Sequence, residues 1–181
     1  MIEQDNPQGV SQSSLKELFG LITEPLEHDL RQLAATLKSR RLMLATAESC
    51  TGGMISAACT DLAGSSDWFE RGFVSYSNAA KTDLLGVPAM LILLHGAVSE
   101  PVARAMATGA VLRSQAQVSI AVTGVAGPGG GTEAKPVGTV WFGWQVDGAL
   151  HSEVQHFQGD RAAVRAATMS HAIKRLNELL G

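Results

Sequence analysis

The sequence has few of the residues that build metal centres or disulfide frameworks. Only two of its 181 residues are cysteine, Cys50 and Cys59, and neither belongs to a CxxC or Cys/His array. The five histidines are scattered, without the HxxxH or HxxE spacing that places ligands around one ion. We therefore expect no metal, no disulfide framework and no cofactor.

The chain also lacks a strongly basic surface and a long hydrophobic run. Its formal net charge is -3 and no dense stripe of Lys and Arg occurs, so a nucleic-acid partner is not expected. No run of eighteen or more apolar residues is present, and the first ten residues are polar and acidic, unlike a signal peptide. These absences predict a cytoplasmic protein without a membrane partner.

The length and composition are those of one globular domain. Hydrophobic residues make up 45% of the chain and charged residues 17%, which predicts a packed core. Residues 1–25, rich in Pro, Gly, Ser and Gln, are interpreted as an arm that is poorly ordered or contacts another subunit, and residues 26–181 as the domain. A homo-oligomer is expected, with a dimer favoured.

Helical and strand patterns alternate along the domain before a hairpin closes it. This order predicts a three-layer α/β/α domain of the α/β class with a mixed sheet. Apolar spacing predicts helices over about 27–41, 79–85, 99–113 and 161–180, and strands over 42–47, 68–76, 118–122, 137–146 and 151–157. A further helix is predicted after the polar turn 48–53, through about Leu62.

The first candidate site is the segment 46–53, Thr-Ala-Glu-Ser-Cys-Thr-Gly-Gly, where the first strand meets a helix. A hydroxyl at such a turn lies beside helix N-terminal N–H groups, which can hold a phosphate or a developing oxyanion. Ser49 is therefore a candidate nucleophile, although Ser49 or Thr51 could equally serve only as a helix cap. Cys50 is an alternative nucleophile, but no histidine is near it in sequence to activate it.

The second candidate is the polar segment 75–81, Ser-Tyr-Ser-Asn-Ala-Ala-Lys, at the end of the second strand. Ligand crevices in α/β sheets form at such strand ends. Lys81, desolvated against Tyr76, could lose its proton easily and act as a general base. The alternative is that Lys81 is simply solvated near a helix start.

Two further segments predict an anion site. The loop 123–132, Thr-Gly-Val-Ala-Gly-Pro-Gly-Gly-Gly-Thr, could form a nest of backbone amides, but it matches neither the P-loop nor the GxGxxG pattern. Arg161 and Arg165 are four residues apart near the start of the last helix, where cations oppose the helix dipole. A negatively charged partner is therefore suspected, against the default of a solvated or internally paired face.

Taken in order, these segments resemble the CinA C-terminal-domain family. The resemblance runs from about Leu30 to Leu180. The segments that carry it are 46–53, 69–78 with Lys81, 95–100 (His-Gly-Ala-Val-Ser-Glu), 123–128 and 135–140 (Lys-Pro-Val-Gly-Thr-Val).

The resemblance implies hydrolysis of the carboxamide of nicotinamide mononucleotide to the acid and ammonia, in pyridine-nucleotide recycling. It assigns Ser49 as nucleophile, Lys81 as its base and Tyr76 as a hydrogen-bonding partner that orients the pair. The amides of residues 50–53 would form the oxyanion hole, and at least one of Arg161 and Arg165 would lie near the phosphate. The expected substrate-binding residues are Cys50, Thr51, Gly52, Gly53, Asn78, Thr123, Gly124, Gly127, Arg161 and Arg165.

Two other functions stay open from the sequence alone. The same Ser49 and Lys81 could act on a different amide, because specificity depends on the shape of the pocket. The scaffold could also bind a nucleotide without catalysis, since a fold does not fix a function.

Overall fold

A five-stranded mixed sheet forms the centre of the computed structural model, which describes residues 23–181. The strand order is β2-β1-β3-β4-β5; β1 pairs in parallel with β2 and β3, and β3, β4 and β5 pair antiparallel. The predicted arm lies almost wholly outside the described residues. The strands are β1 (Leu44–Glu48), β2 (Phe69–Val74), β3 (Val118–Gly124), β4 (Thr139–Val146) and β5 (Ala149–His156).

Helices cover both faces of this sheet. Two separate clusters of buried apolar side chains, one on each face, confirm the predicted three-layer α/β/α arrangement. The first cluster joins the sheet to α1, α2 and α6, and the second joins it to α3, α4 and α5. The helices of the described residues are α1 (Glu24–Arg40), α2 (Met54–Asp61), α3 (Asn78–Leu85), α4 (Ala89–His95), α5 (Glu100–Leu112) and α6 (Arg161–Leu180), with a short 3-10 turn at Ser65–Asp67.

The sequence of strand β1 is nearly continuous in small and apolar residues, and the burial of the strand explains this pattern. All five of its residues are buried, because the sheet is covered on both sides. Leu44 belongs to the cluster of α1, α2 and α6, whereas Ala45 and Ala47 belong to the opposite cluster. The period-two alternation of a strand thus places large side chains on one face and small ones on the other.

Several predicted boundaries are wrong, and one helix was missed. Helix α4 was missed because its Ala-Met-Leu-Ile-Leu-Leu run has no polar alternation, and a short apolar run does not distinguish a helix from a strand. Strand β2 ends at Val74 instead of Tyr76, and β3 continues to Gly124, where the sequence predicted a loop. In the hairpin, β4 begins at Thr139 and β5 at Ala149.

The parallel strands bring their carboxyl ends to one edge of the sheet. Glu48, the last residue of β1, lies in register with Val74 of β2 and Val122 of β3. The backbone continues this pattern beyond the strands, since Ser49 N–H donates to the Val122 carbonyl at 3.1 Å. The segments that follow these strand ends are therefore neighbours in space. Within residues 23–181, no helix is long and apolar enough to cross a membrane.

Candidate active site

The structure brings Ser49 and Lys81 into direct contact although they lie 32 residues apart in sequence. Lys81 Nζ is 3.0 Å from Ser49 Oγ. Ser49 lies on the turn after β1, and Lys81 lies on the first turns of α3, which Ser77 caps by accepting a hydrogen bond from the Ala80 N–H. Ser49 is 8% exposed and Lys81 only 1% exposed, so the contact is largely shielded from water.

Burial makes Lys81 suited to act as a base. Loss of hydration lowers the pKa of its ammonium group, and the neighbouring Cys50 opposes this shift to a smaller extent. Among the described residues, no carboxylate forms an ion pair with this lysine. The charged form therefore lacks the partner that usually stabilises a buried ammonium.

The three neighbours of Lys81 Nζ match the hydrogen-bonding capacity of a neutral amine. Nζ donates to the backbone carbonyls of Ser75 at 2.9 Å and Tyr76 at 3.1 Å. Carbonyls only accept, so they occupy two N–H groups. In the neutral amine the remaining lone pair then faces Ser49 Oγ, which is the direction needed to receive the hydroxyl proton.

Tyr76 is a hydrogen-bonding partner of Lys81 through its backbone, and a role for its side chain stays a prediction. Its backbone carbonyl orients Lys81, whereas its side chain is 64% exposed. Burial within the fold desolvates the lysine.

The thiol of Cys50 is a poor alternative nucleophile. It is buried, and burial raises its pKa to about 12, with the nearby Glu48 adding to the shift. A thiol with such a pKa stays protonated at neutral pH, and the thiolate is the reactive form. Of the two side chains, the one with a hydrogen bond to Lys81 Nζ is the hydroxyl of Ser49.

Glu48 is a buried acidic residue next to Ser49 to which the sequence analysis gave no role. Its fully buried carboxylate accepts hydrogen bonds from the N–H groups of Gly53, Ile55 and Ser56, at 2.8 to 3.0 Å. This occupies the start of α2, where the sequence predicted room for a phosphate. The predicted oxyanion hole over residues 50–53 is corrected accordingly, because the Gly53 amide is already bound to protein.

Two adjoining cavities lie beside Ser49. The smaller, about 250 Å³, lies over the Ser49–Lys81 pair, and the larger, about 660 Å³, lies beside α6. Ala126 and Arg161 line both, so the cavities are neighbours. Of the predicted site residues, the smaller cavity gathers Ser49, Cys50, Tyr76, Lys81, Thr123, Gly124 and Arg161, and the larger one Gly127, Arg161 and Arg165.

The remaining predicted residues line neither of these two cavities. Thr51 is buried and its hydroxyl donates to Glu48 at 2.7 Å, and Gly52 is exposed with a positive φ of 62°. Gly53 is half-buried, and Asn78 is exposed at the start of α3. Their part in substrate binding stays a prediction.

A loop after α4 supplies a wall of the smaller cavity that the sequence analysis did not assign. Ala97 and Val98 line it, and the Thr123 hydroxyl holds the loop by donating to the Ala97 carbonyl at 2.9 Å. The signal was present in the segment 95–100, which carried the family resemblance but received no role. Thr123 thus supports the wall as well as lining the cavity.

The two arginines of α6 have different surroundings. Arg165 is fixed, because its Nε and one Nη donate to the carbonyls of Cys50 at 3.2 Å and Thr51 at 2.8 Å. Arg161 is exposed and makes one bond, to the Gly127 carbonyl at 2.8 Å. Arg161 therefore keeps more of its five N–H groups for a ligand.

The described residues do not form a metal centre. Within residues 23–181, no group of three or more His, Cys, Asp or Glu side chains is placed so that it could hold an ion.

Comparisons with known proteins identify the family of this chain. The family model described as "CinA C-terminal domain" matches residues 27–180. The nicotinamide-nucleotide amidohydrolase PncC of Enterobacter agglomerans is 51% identical over 146 residues, which are 80% of this chain and 89% of that protein. The protein of the same name from Escherichia coli K12 is 48% identical over 148 residues, covering 80% and 88%.

A solved structure has the same fold. The competence/damage inducible protein CihA of Agrobacterium tumefaciens superposes with a TM-score of 0.84 at 41% identity, covering 87% of this chain and 97% of that one. The family match spans the whole sheet, all but the start of α1, and both cavities. The chain belongs to the CinA C-terminal domain family.

Proposed function

We propose that this chain hydrolyses the carboxamide of nicotinamide mononucleotide to nicotinate mononucleotide and ammonia, with Ser49 as nucleophile and Lys81 as base. The contact of 3.0 Å between Lys81 Nζ and Ser49 Oγ, in a buried pocket, carries this proposal. The chain is an amidohydrolase, as are its relatives named nicotinamide-nucleotide amidohydrolase. Their name also supports the choice of substrate.

Acylation begins when neutral Lys81 takes the proton of the Ser49 hydroxyl. Ser49 Oγ attacks the carboxamide carbon, and the carbonyl oxygen becomes an oxyanion. The protonated lysine then gives its proton to the amide nitrogen, the C–N bond breaks, and ammonia leaves. An ester between Ser49 and the nicotinate group remains.

Deacylation repeats the sequence with water. Lys81 takes a proton from the water that attacks the ester carbon, and then returns a proton to Ser49 Oγ as the C–O bond breaks. The amides of residues 50–52 remain the candidate donors to the oxyanion, since Gly53 is engaged by Glu48. A Ser-Lys pair performs both proton transfers without histidine.

Different parts of the substrate are assigned to the two cavities. The carboxamide and its ring fit the smaller cavity, where Ala97, Val98 and Ala126 offer apolar contacts beside Ser49. The phosphate reaches Arg161, which lies at the junction with the larger cavity. Arg165 contributes its positive charge nearby while it holds the turn after Ser49.

The direct test is ammonia release by the purified chain from nicotinamide mononucleotide, beside nicotinamide and the dinucleotide as controls. We expect release from the mononucleotide in preference to both. Arg161→Ala should raise KM for the mononucleotide about 10- to 100-fold with a smaller change in kcat, because it removes a charge-assisted contact to the phosphate. Binding of the mononucleotide without any ammonia release would favour a non-catalytic nucleotide-binding protein.

Three parts of the sequence-based interpretation belong to this proposal. They are a role in pyridine-nucleotide recycling, a cytoplasmic location and a homo-oligomer, with a dimer favoured. Exposed apolar side chains on α4, Met90, Leu93 and Leu94, support association of subunits. Light scattering of the purified chain at several concentrations measures the oligomeric state.

A further inference from the structure

We propose that Glu48 is a positioning residue for the nucleophile: its carboxylate sets the conformation of the turn that presents Ser49. The inference rests on the proposed role of Ser49. It differs from that role because Glu48 lines neither cavity beside Ser49 and touches no reacting atom.

Six protein donors surround the two carboxylate oxygens of Glu48. Oε2 accepts from the Thr51 hydroxyl at 2.7 Å and from the Gly53 and Ile55 N–H groups, both at 3.0 Å. Oε1 accepts from the Ser56 N–H at 2.8 Å, the Ser56 hydroxyl at 2.7 Å and the Thr46 hydroxyl at 3.3 Å. The three N–H groups can only donate, so the group acts as an internal anion that fills the start of α2.

This anion fixes the turn because both sides of it are tied to the same carboxylate. Ser49 follows Glu48 directly, and five of the six donors to the carboxylate lie from Thr51 to Ser56. The Glu48 carbonyl is itself held by the Ser75 N–H at 2.8 Å. Ser49 is therefore presented from a closed loop whose start is fixed in the sheet and whose end is fixed in α2.

Arg165 restrains the same turn from its other side. It binds the carbonyls of Cys50 and Thr51, whereas Glu48 binds N–H groups and a hydroxyl of the residues that follow. A planar trans peptide directs its N–H away from its C=O. The two charged groups thus fix which way the amides of Thr51 and Gly52 point, and these are candidate oxyanion donors.

The filled helix start also bears on where the substrate phosphate binds. A free helix N-terminus attracts anions, but here the N–H groups of Gly53, Ile55 and Ser56 are satisfied by Glu48. A second anion at this end of α2 would be repelled by the buried carboxylate. We therefore expect the phosphate to bind at Arg161, which lies at the junction of the two cavities.

Glu48→Gln tests the role with the smallest change of shape. The side-chain amide keeps one acceptor oxygen but turns an NH₂ group toward at least one backbone N–H, and the negative charge is lost. We expect kcat for the mononucleotide to fall about 10- to 100-fold, the scale of loss when a nucleophile is misplaced by about 1 Å. KM and the pH at which the rate rises should stay near those of the wild type, since Arg161 and Lys81 are unchanged.

The rate at which a serine-directed fluorophosphonate labels Ser49 gives a readout independent of the substrate. It is measured well below the melting temperature of each protein, with Glu178→Gln as the matched control on the exposed end of α6. We expect slow labelling for Glu48→Gln and a wild-type rate for Glu178→Gln. Wild-type labelling in folded Glu48→Gln would show that Glu48 serves only stability, and would overturn the inference.

Labelling also separates this inference from the proposed function. A wild-type chain that is labelled at Ser49 but releases no ammonia from the mononucleotide contradicts the substrate and leaves the role of Glu48 measurable. A wild-type chain that is not labelled at Ser49 contradicts both. If Glu48→Gln does not fold, Thr51→Val and Ser56→Ala each remove one hydroxyl donor to the carboxylate, and the double variant should label more slowly than either single one.

Discussion

At the scale of single residues, the proposed chemistry depends on a lysine that the fold shields from solvent. Lys81 Nζ has two carbonyls and one hydroxyl as neighbours, and its surroundings disfavour the ammonium form. A base must be neutral before it can accept a proton. Burial favours the neutral amine, and it therefore favours the role proposed for Lys81.

The pH dependence of the rate follows from this lowered pKa. We expect kcat/KM for the mononucleotide to rise with pH and to level off below the usual lysine pKa of about 10.4. Lys81→Ala should lose most activity near neutral pH and partly recover at high pH, where hydroxide replaces the missing base. A wild-type profile that keeps rising up to the ordinary lysine pKa would show that Lys81 is not depressed in the working enzyme.

Residue types could be predicted from the sequence, but not their partners. Ser49 stood out because a serine precedes Thr-Gly-Gly at a strand end, and Lys81 because it follows a polar strand end. No spacing rule places these two in contact across 32 residues, since that contact depends on the packing of α3 against the sheet. Glu48 was hidden because it caps a helix that begins six residues later, at Met54.

At the scale of elements, the position of α3 depends on its close packing against α5. Gly109 of α5 faces the backbone of α3, and a Cβ built on it would lie 2.1 Å from the Leu85 carbonyl oxygen. Only the hydrogen atom of a glycine fits between Gly109 and the Leu85 carbonyl. The spacing of the two helices therefore determines how far Lys81 reaches toward β1.

Gly109→Ala should push α3 away and affect both stability and activity. Alanine gains about 1 kcal/mol of helix propensity, but overpacking against backbone typically costs about 1–3 kcal/mol. We expect a lower melting temperature and a reduced kcat, measured by calorimetry and ammonia release. Gly129→Ala is the control, because nothing lies within 4 Å of its built Cβ. Equal stability and activity in the two variants would mean that the α3–α5 spacing adapts freely.

At the scale of the whole molecule, two apolar layers hold a polar site at one sheet edge. The layers could be predicted from hydrophobic periodicity, because each helix and strand buries one face or both. The shape of the cavities could not, since their walls come from several separate loops, the end of β3 and the starts of α3 and α6. The loop at Ala97 and Val98 follows the helix that the periodicity missed, so its contribution was missed as well.

Burying Lys81 should make the stability of the whole chain depend on pH. The pKa of Lys81 is lowered in the folded chain and is about 10.4 in the unfolded chain. Between these two values the unfolded chain binds one more proton, so the free energy of unfolding rises with pH. Lys81→Met lacks the titrating amine. The wild type should therefore gain stability relative to this variant as the pH rises.

Urea unfolding of both proteins from about pH 7 to about pH 9.5 measures this difference. The free-energy cost of burying Lys81 falls as the pH rises toward the lysine pKa of the unfolded chain, so the difference between the two proteins should change across this range. A constant difference between the two proteins across this range would contradict a lowered pKa for Lys81.

The central claim is that the Ser49 hydroxyl, and not the neighbouring thiol, attacks the amide. The most direct test is the kcat for ammonia release from nicotinamide mononucleotide by Ser49→Ala beside Cys50→Ala. We predict a loss of at least about 10³-fold for Ser49→Ala, as for removal of a catalytic nucleophile. Cys50→Ala should stay within a few-fold of the wild type, because its thiol is buried and protonated. Near wild-type turnover by Ser49→Ala, or a comparable loss in Cys50→Ala alone, would contradict the account.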